Sequence, residues 1–206
     1  MGRPDAAMLG APAYERNEND FYPTEAACTE ALVKYLRSNS LIADGDDVLE
    51  PACGDGAITK VFQKHGFEVA SSDLFPQLEG AAVKDYLTHP FHEQPGWRGA
   101  ETVVVTNPPY LQPWRDHFVR RTIELVREQG VVGALLMRND VDCGSRQKRF
   151  FDAEETFYGK LVLTWRPRWI PGSTGSPRHN YAWYIWAPQA TYTERQGPVI
   201  AYGFKG

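Results

Sequence analysis

Apolar residues recur along this chain with two different periods, and the periods alternate. From Thr24 to Ser38, Cys28, Ala31, Leu32, Tyr35 and Leu36 fall three and four residues apart, which predicts a helix with Thr24 as its N-cap and Glu25 in its first turn. DDVLE (46–50) reads as a strand and Ala57 to His65 as a helix, with Ile58, Val61 and Phe62 on one face and Gly66 as its stop; FEVASSD (67–73) is a second strand. Strand, helix and strand in that order make a βαβ unit. ETVVVTN (101–107) and VVGALLM (131–137) are short apolar runs of the kind buried on both faces of a parallel sheet. Between them, Pro113 to Gln129 reads as a helix with Trp114, Phe118, Thr122, Leu125 and Val126 in register. LVLTW (161–165) and YAWYIW (181–186) have no room between them for a helical crossover, so they are expected to pair antiparallel as a hairpin closed by 15 residues. Residues 1–20 lack periodicity and read as a flexible arm, leaving 21–206 as a single α/β domain built on one mostly parallel sheet.

Composition agrees with one folded domain. The 206 residues are 42% hydrophobic and 23% charged, which excludes a disordered or fibrous chain. No run approaches the roughly 18 apolar residues of a membrane span, and residues 1–19 carry no secretory-type apolar stretch, so a cytoplasmic protein is expected. Cys28, Cys53 and Cys143 are far apart and form no CxxC pair, which supports neither a disulfide framework nor a zinc knuckle. His89 and His92 flank Pro90-Phe91 without a third ligand nearby, and no metal is expected.

Net charge is −4, too acidic for a protein that coats nucleic acid by bulk attraction, yet the charge is unevenly spread. Residues 1–110 hold 8 basic and 17 acidic side chains, whereas 111–186 hold 12 and 8. An acidic half with one site and a basic half facing an anionic partner would have this distribution.

In such a sheet ligands bind beyond the carboxyl ends of the strands, and those ends carry the unusual residues. The first strand closes on Glu50-Pro51-Ala52-Cys53-Gly54-Asp55-Gly56. Gly54 and Gly56 allow a ligand close to the backbone, and Glu50 would repel a pyrophosphate but suits a cation. A dinucleotide fingerprint would need glycine where Thr59 stands, and no Gly-Lys-Ser/Thr P-loop is present. Asp73 closes the next strand, 23 residues after Glu50, where a carboxylate commonly grips a ribose diol. Asp85-Tyr86 follows another short strand candidate and could present a carboxylate with a ring beside it. Thr106-Asn107-Pro108-Pro109-Tyr110 follows the VVV strand. Its two prolines fix the backbone and leave rigid carbonyl acceptors beside an amide and an aromatic face, a receptor for a planar amine.

Over residues 21–137 the chain resembles class I S-adenosylmethionine-dependent methyltransferases, and among them the amino-methyltransferases with an Asn/Asp-Pro-Pro-Tyr/Phe motif. EPACGDG followed by NPPY is most similar to the small phage and prophage adenine-N6 DNA methyltransferases. The resemblance implies a single Rossmann-like domain with a mostly parallel seven-stranded sheet, a C-terminal antiparallel hairpin and helices on both faces. It implies S-adenosylmethionine as cofactor. Phe21, Tyr22, Pro23 and Thr24, with Glu50, Ala52, Gly54 and Gly56, would surround its methionine end; Asp73 would hold its ribose; Leu74, Phe75, Asp85 and Tyr86 would take its adenine. Asn107, Pro108, Pro109 and Tyr110 would hold the target, with Asn107 also bordering the cofactor and Tyr110 stacking through its ring, for which the hydroxyl is not needed.

Sequence-specific members of that family carry a separate target-recognition domain, and no such domain is expected here. The loop between the last two strand candidates is expected to take its place. Arg166, Arg168, Trp169, Arg178 and His179 mix basic and aromatic groups in a composition suited to phosphates and stacked bases, so the partner is expected to be nucleic acid, DNA first. Arg146, Lys148 and Arg149 read as a solvated face. Two alternatives stay open: a protein glutamine or ribosomal RNA guanine as acceptor, and a non-catalytic module that keeps the fold as a scaffold.

Overall fold

A computed structural model describes residues 22–91, 97–169, 177–188 and 197–205. The expected arm over 1–20, Phe21, His92 and the middle of the basic loop lie outside them. Strands β1 (Asp47–Glu50), β2 (Glu68–Asp73), β3 (Ala82–Val83), β4 (Thr102–Thr106), β5 (Val132–Arg138), β6 (Phe157–Leu163), β7 (Tyr181–Trp186) and β8 (Val199–Gly203) form one sheet in the order 3-2-1-4-5-7-6-8. Strands β1 to β5 are mutually parallel where they pair; β7 runs antiparallel to β5 and β6; β8 returns parallel to β6.

The expected α/β architecture and the β6–β7 hairpin are therefore present, with eight strands among the described residues where seven were expected. The additional strand, β8, pairs only with β6 and exposes Ile200 and Tyr202, so its segment has no buried apolar run by which to be recognised.

Helices α1 (Ala26–Ser38) and α2 (Ala57–Lys64) cover one face of the sheet, packing Leu32, Leu36, Ile58 and Phe62 over Val48, Val103 and Val105. Helix α3 (Trp114–Gln129) covers the other, packing Val119, Ile123 and Val126 over Leu49, Val104 and Leu135. The alternation along β4, Val103 and Val105 to one side and Val104 to the other, is the period-two rule expressed in a strand with two dry faces.

Two helix starts differ from expectation. Helix α1 begins at Ala26, and its N-cap, Glu25, makes no side-chain capping bond; Thr24 is not the cap because its hydroxyl faces Asn107. Trp114 is not a core residue, and it is 53% exposed where α3 leaves the Asn107 loop.

One close approach ties α3 to the strand ends. The Thr122 hydroxyl donates to the Phe118 carbonyl at 2.9 Å and shares a bond with the buried Tyr86 hydroxyl, also 2.9 Å. Gly133 on β5 leaves just the space that Thr122 fills, since a Cβ there would overlap Thr122 Cγ2. Tyr86 thereby anchors the neighbouring Asp85 at the end of β3. Gly133→Ala should lower stability by about 1–3 kcal/mol through overpacking, read as a lower urea midpoint. Thr122→Ser, which removes the clashing methyl and keeps the hydroxyl, should restore most of the loss in the double variant. A Gly133→Ala protein as stable as the parent would contradict this packing.

Candidate functional site

The strand order reverses between β1 and β4. Helix α2 leaves β1 for one face while α3 leaves β4 for the other, and a cleft of about 400 Å³ opens over the carboxyl ends between them. Its lining includes Tyr22, Pro23 and Thr24 from the segment before α1, and Glu50, Ala52 and Gly54 from the loop after β1. Asp73, Leu74 and Phe75 join from the end of β2, Asp85 and Tyr86 from beyond β3, and Asn107 to Tyr110 from beyond β4. Residues distant in sequence thus converge on one opening. Gly56 stands at the start of α2 beneath it, outside the lining.

The glycine loop is shaped by conformation and held by carboxylates. Gly54 and Gly56 have φ of +50° and +76°, a region that side chains other than glycine's resist. Asp73 accepts the Gly54 N–H at 2.8 Å through one oxygen and the Phe75 N–H at 2.9 Å through the other, and Gln77 and Leu78 donate to the Gly54 carbonyl. Asp73 therefore shapes the loops after β1 and β2 as well as facing the cleft. Asp85 is placed in a similar way, accepting the Leu87 N–H at 2.9 Å.

Glu50 is almost wholly buried and accepts the Thr59 N–H at 2.7 Å and the Thr59 hydroxyl, which is also bonded to Ser71 at 2.7 Å. Burial pushes its carboxyl up to about 8; the Thr59 hydrogen bonds oppose the shift, and the charges of Asp55 and Asp73 add to it. Thr59, the position that breaks a dinucleotide fingerprint, thus belongs to the machinery around Glu50. The only signal for it in sequence is a hydroxyl residue in the first turn of the helix after the glycine loop.

Tyr86 has its ring in the core, 5.0 Å from Phe118 and 5.9 Å from Phe91 between centroids, so it borders the cleft from below. Leu74 and Phe75 lie at the lip, 53% and 65% exposed, and exposed Leu111 and Trp114 form a second apolar lip that sequence reasoning missed.

Asn107 is held at both ends of its amide. Its Nδ2 donates to Thr24 Oγ1 at 3.1 Å and to the Tyr22 carbonyl at 3.4 Å, while the Tyr110 hydroxyl donates to its Oδ1. That hydroxyl, for which no part was expected, has a partner in the motif itself. Pro108 is buried beside it and Pro109 half-buried, keeping the turn rigid.

The basic loop begins against this motif. Trp169 is half-buried, its ring 6.1 Å from Tyr110 and 4.7 Å from Tyr181, so it packs as a wall behind Tyr110. Arg166 donates to Asn180 Oδ1 at 2.9 Å and to the Pro177 carbonyl at 3.3 Å, and the Arg168 N–H reaches Glu25. Arg178 is exposed, and burial, with Arg138 next in weight, lowers the His179 ring below its usual range. These groups stand at the same end of the sheet as Asn107, since the antiparallel β7 starts where β5 ends. Arg146, Lys148 and Arg149 are exposed, with Lys148 paired to Asp152 at 2.9 Å, and Gln147 among them donates to Asp116 in the first turn of α3 at 3.3 Å.

No family model and no curated protein matches the chain in sequence. Solved structures match its fold. A protein described as a class I S-adenosylmethionine-dependent methyltransferase from Listeria monocytogenes superposes with a TM-score of 0.60 at 13% identity, over 97% of this chain and 70% of that one. One described as an RNA methyltransferase from Pyrococcus horikoshii gives 0.62 at 14%, over 89% and 95%. The modification subunit of a type I restriction enzyme from Vibrio vulnificus gives 0.54 at 14%, over 97% of this chain, which spans about half of that subunit's length. With the strand order and the cleft, these likenesses establish that the chain has the Rossmann-like fold of class I S-adenosylmethionine-dependent methyltransferases.

Proposed function

We propose that this protein is an S-adenosylmethionine-dependent methyltransferase acting on an exocyclic amine, N6 of adenine in DNA. The observation that carries the reading is the meeting, in one cleft, of a glycine loop flanked by carboxylates with an Asn107 carbonyl and a rigid Pro108-Pro109 turn beside Tyr110. The cleft has the size of a small-molecule site. Its residues fit the cofactor in kind: Gly54 permits close approach, Asp73 and Asp85 offer oxygens for a ribose and an amino group, Leu74 and Phe75 offer apolar surface, and Glu50 offers a carboxyl that a cationic centre would help to ionise. The bound cofactor would supply a methyl group on a sulfonium.

The chain's own task is to make an aromatic amine nucleophilic. Its lone pair is delocalised until the nitrogen becomes tetrahedral, and acceptors at Asn107 Oδ1 and the Pro108 carbonyl stabilise that form and the positive charge growing on it. Transfer of the methyl group from the cofactor's sulfonium to this nitrogen would leave a thioether and release one amine proton to solvent. No strong base is required, and holding the two reactants in line supplies much of the acceleration. Tyr110, backed by Trp169 and Tyr181, gives the acceptor a stacking face. Arg166, Arg168 and Arg178 at the same end of the sheet favour a polyanionic partner, with the neutral His179 ring beside them, in keeping with the restriction-enzyme modification subunit and the RNA methyltransferase that share the fold.

Incubation with methyl-labelled cofactor and a panel of DNA, RNA and glutamine peptides should label DNA, at N6 of adenine. Asn107→Ala should lose at least about a hundredfold in rate, the scale of removing one preorganised hydrogen-bonding group, with cofactor affinity little changed. Label only in RNA or protein would overturn the acceptor assignment, and folded protein that labels nothing would overturn the enzyme reading.

Glu50 generates a pH dependence. Raised to about 8, it is mostly neutral at pH 7, and a cation beside it stabilises the carboxylate and lowers that value. Cofactor affinity should therefore rise with pH up to about 8 and then level, with proton release on binding visible in calorimetry. Glu50→Gln should abolish the rise. Without cofactor the sign reverses: the buried carboxyl favours the folded state most fully below its unfolded value near 4.5, and that contribution is lost as pH rises through about 8.

A further inference from the structure

Asn107 can present the carbonyl end of its amide to an acceptor amine only if the amide does not turn over. Rotation by 180° would exchange acceptor for donors and leave the incoming amine facing N–H groups. The surroundings of Nδ2 decide the orientation. The Tyr22 carbonyl can only accept, and at 3.4 Å it would face a lone pair if Oδ1 took that place; Thr24 Oγ1, at 3.1 Å, is the nearer partner and is itself buried. Thr24 precedes α1 and has the residue type of an N-cap, yet α1 starts at Ala26 without a side-chain cap, so its hydroxyl serves Asn107 and not the helix.

We infer that Thr24 is a positioning residue for the acceptor reaction: its hydroxyl, 83 residues away in sequence, holds the Asn107 carboxamide in place, while the Tyr22 carbonyl, which can only accept, keeps Nδ2 on that side and Oδ1 toward the substrate amine. The inference rests on the proposed amine chemistry for its consequence and on the Nδ2 geometry for its existence. Tyr110 completes the arrangement from the other side, donating to Oδ1 and leaving that oxygen a second lone pair for the amine. The segment ahead of α1 thereby acts on the acceptor half of the cleft as well as lining its cofactor half.

The test uses Thr24→Val, which keeps the shape and removes the hydroxyl, and Thr24→Ser, which restores it. Thr24→Val should lower kcat roughly three- to tenfold, the scale of one hydrogen bond, with Thr24→Ser close to the parent. A second readout needs no substrate. The Asn107 side-chain amide protons, assigned by their loss in Asn107→Ala, should be protected from hydrogen exchange in the unliganded protein and in Thr24→Ser, and exposed in Thr24→Val. Unchanged protection in Thr24→Val, or a kcat equal to the parent's, would overturn the assignment. If the parent methylates no acceptor while protection still depends on the hydroxyl, the proposed function fails and the lock stands.

Discussion

Two adjacent parallel strands whose following helices leave for opposite faces of a sheet cannot close over their own carboxyl ends. That constraint, realised at β1 and β4, produces the cleft on which the rest of this molecule depends. Burial enforces it. Val48, Val103 and Val105 face α1 and α2, whereas Leu49 and Val104 face α3, so each helix is committed to its own side. The loops after β1 and β4 are thereby left facing each other, and the remaining work falls to local hydrogen bonds. Asp73 ties the β1 loop to the β2 loop, Glu50 is satisfied by Thr59, and Asn107 is held by the chain ahead of α1.

Charge divides along the same line at this end of the sheet. Glu50, Asp55, Asp73 and Asp85 cluster on the side reached from β1, β2 and β3, while Arg166, Arg168 and Arg178 stand between β6 and β7. A cation and a polyanion can therefore approach one opening from different sides. Burial, with the like charges of Asp55 and Asp73 adding to it, makes Glu50 hard to ionise and so responsive to a cationic neighbour.

Much of this is legible in the sequence. The β1–α2–β2 unit and the α3 crossover are readable because buried valine runs and helical spacing alternate in short order, and Asp73 and Asn107 stand where a strand ends. What escaped had a different physical basis. β8 exposes alternate residues and so lacks a buried run. Thr24 has the residue type of a helix cap but finds a stronger claim on its hydroxyl across the cleft. Trp114 fits the helical period yet sits where α3 emerges into solvent. The Tyr110 hydroxyl and Thr59 take part through contacts between elements, which spacing along one element does not encode. Trp169 is readable as an aromatic in a basic loop, and its packing against Tyr110 and Tyr181 is a contact between elements that spacing does not encode.

The central claim is that one cleft holds the cofactor and the acceptor-binding motif within reach of each other. A crystal structure of the protein with S-adenosylhomocysteine tests it most directly. The account predicts the ribose at Asp73, the adenine between Asp85 and the Leu74–Phe75 lip, and the thioether sulfur turned toward Asn107 and Tyr110. Ligand bound elsewhere, or bound here with its sulfur directed away from Asn107, would contradict it.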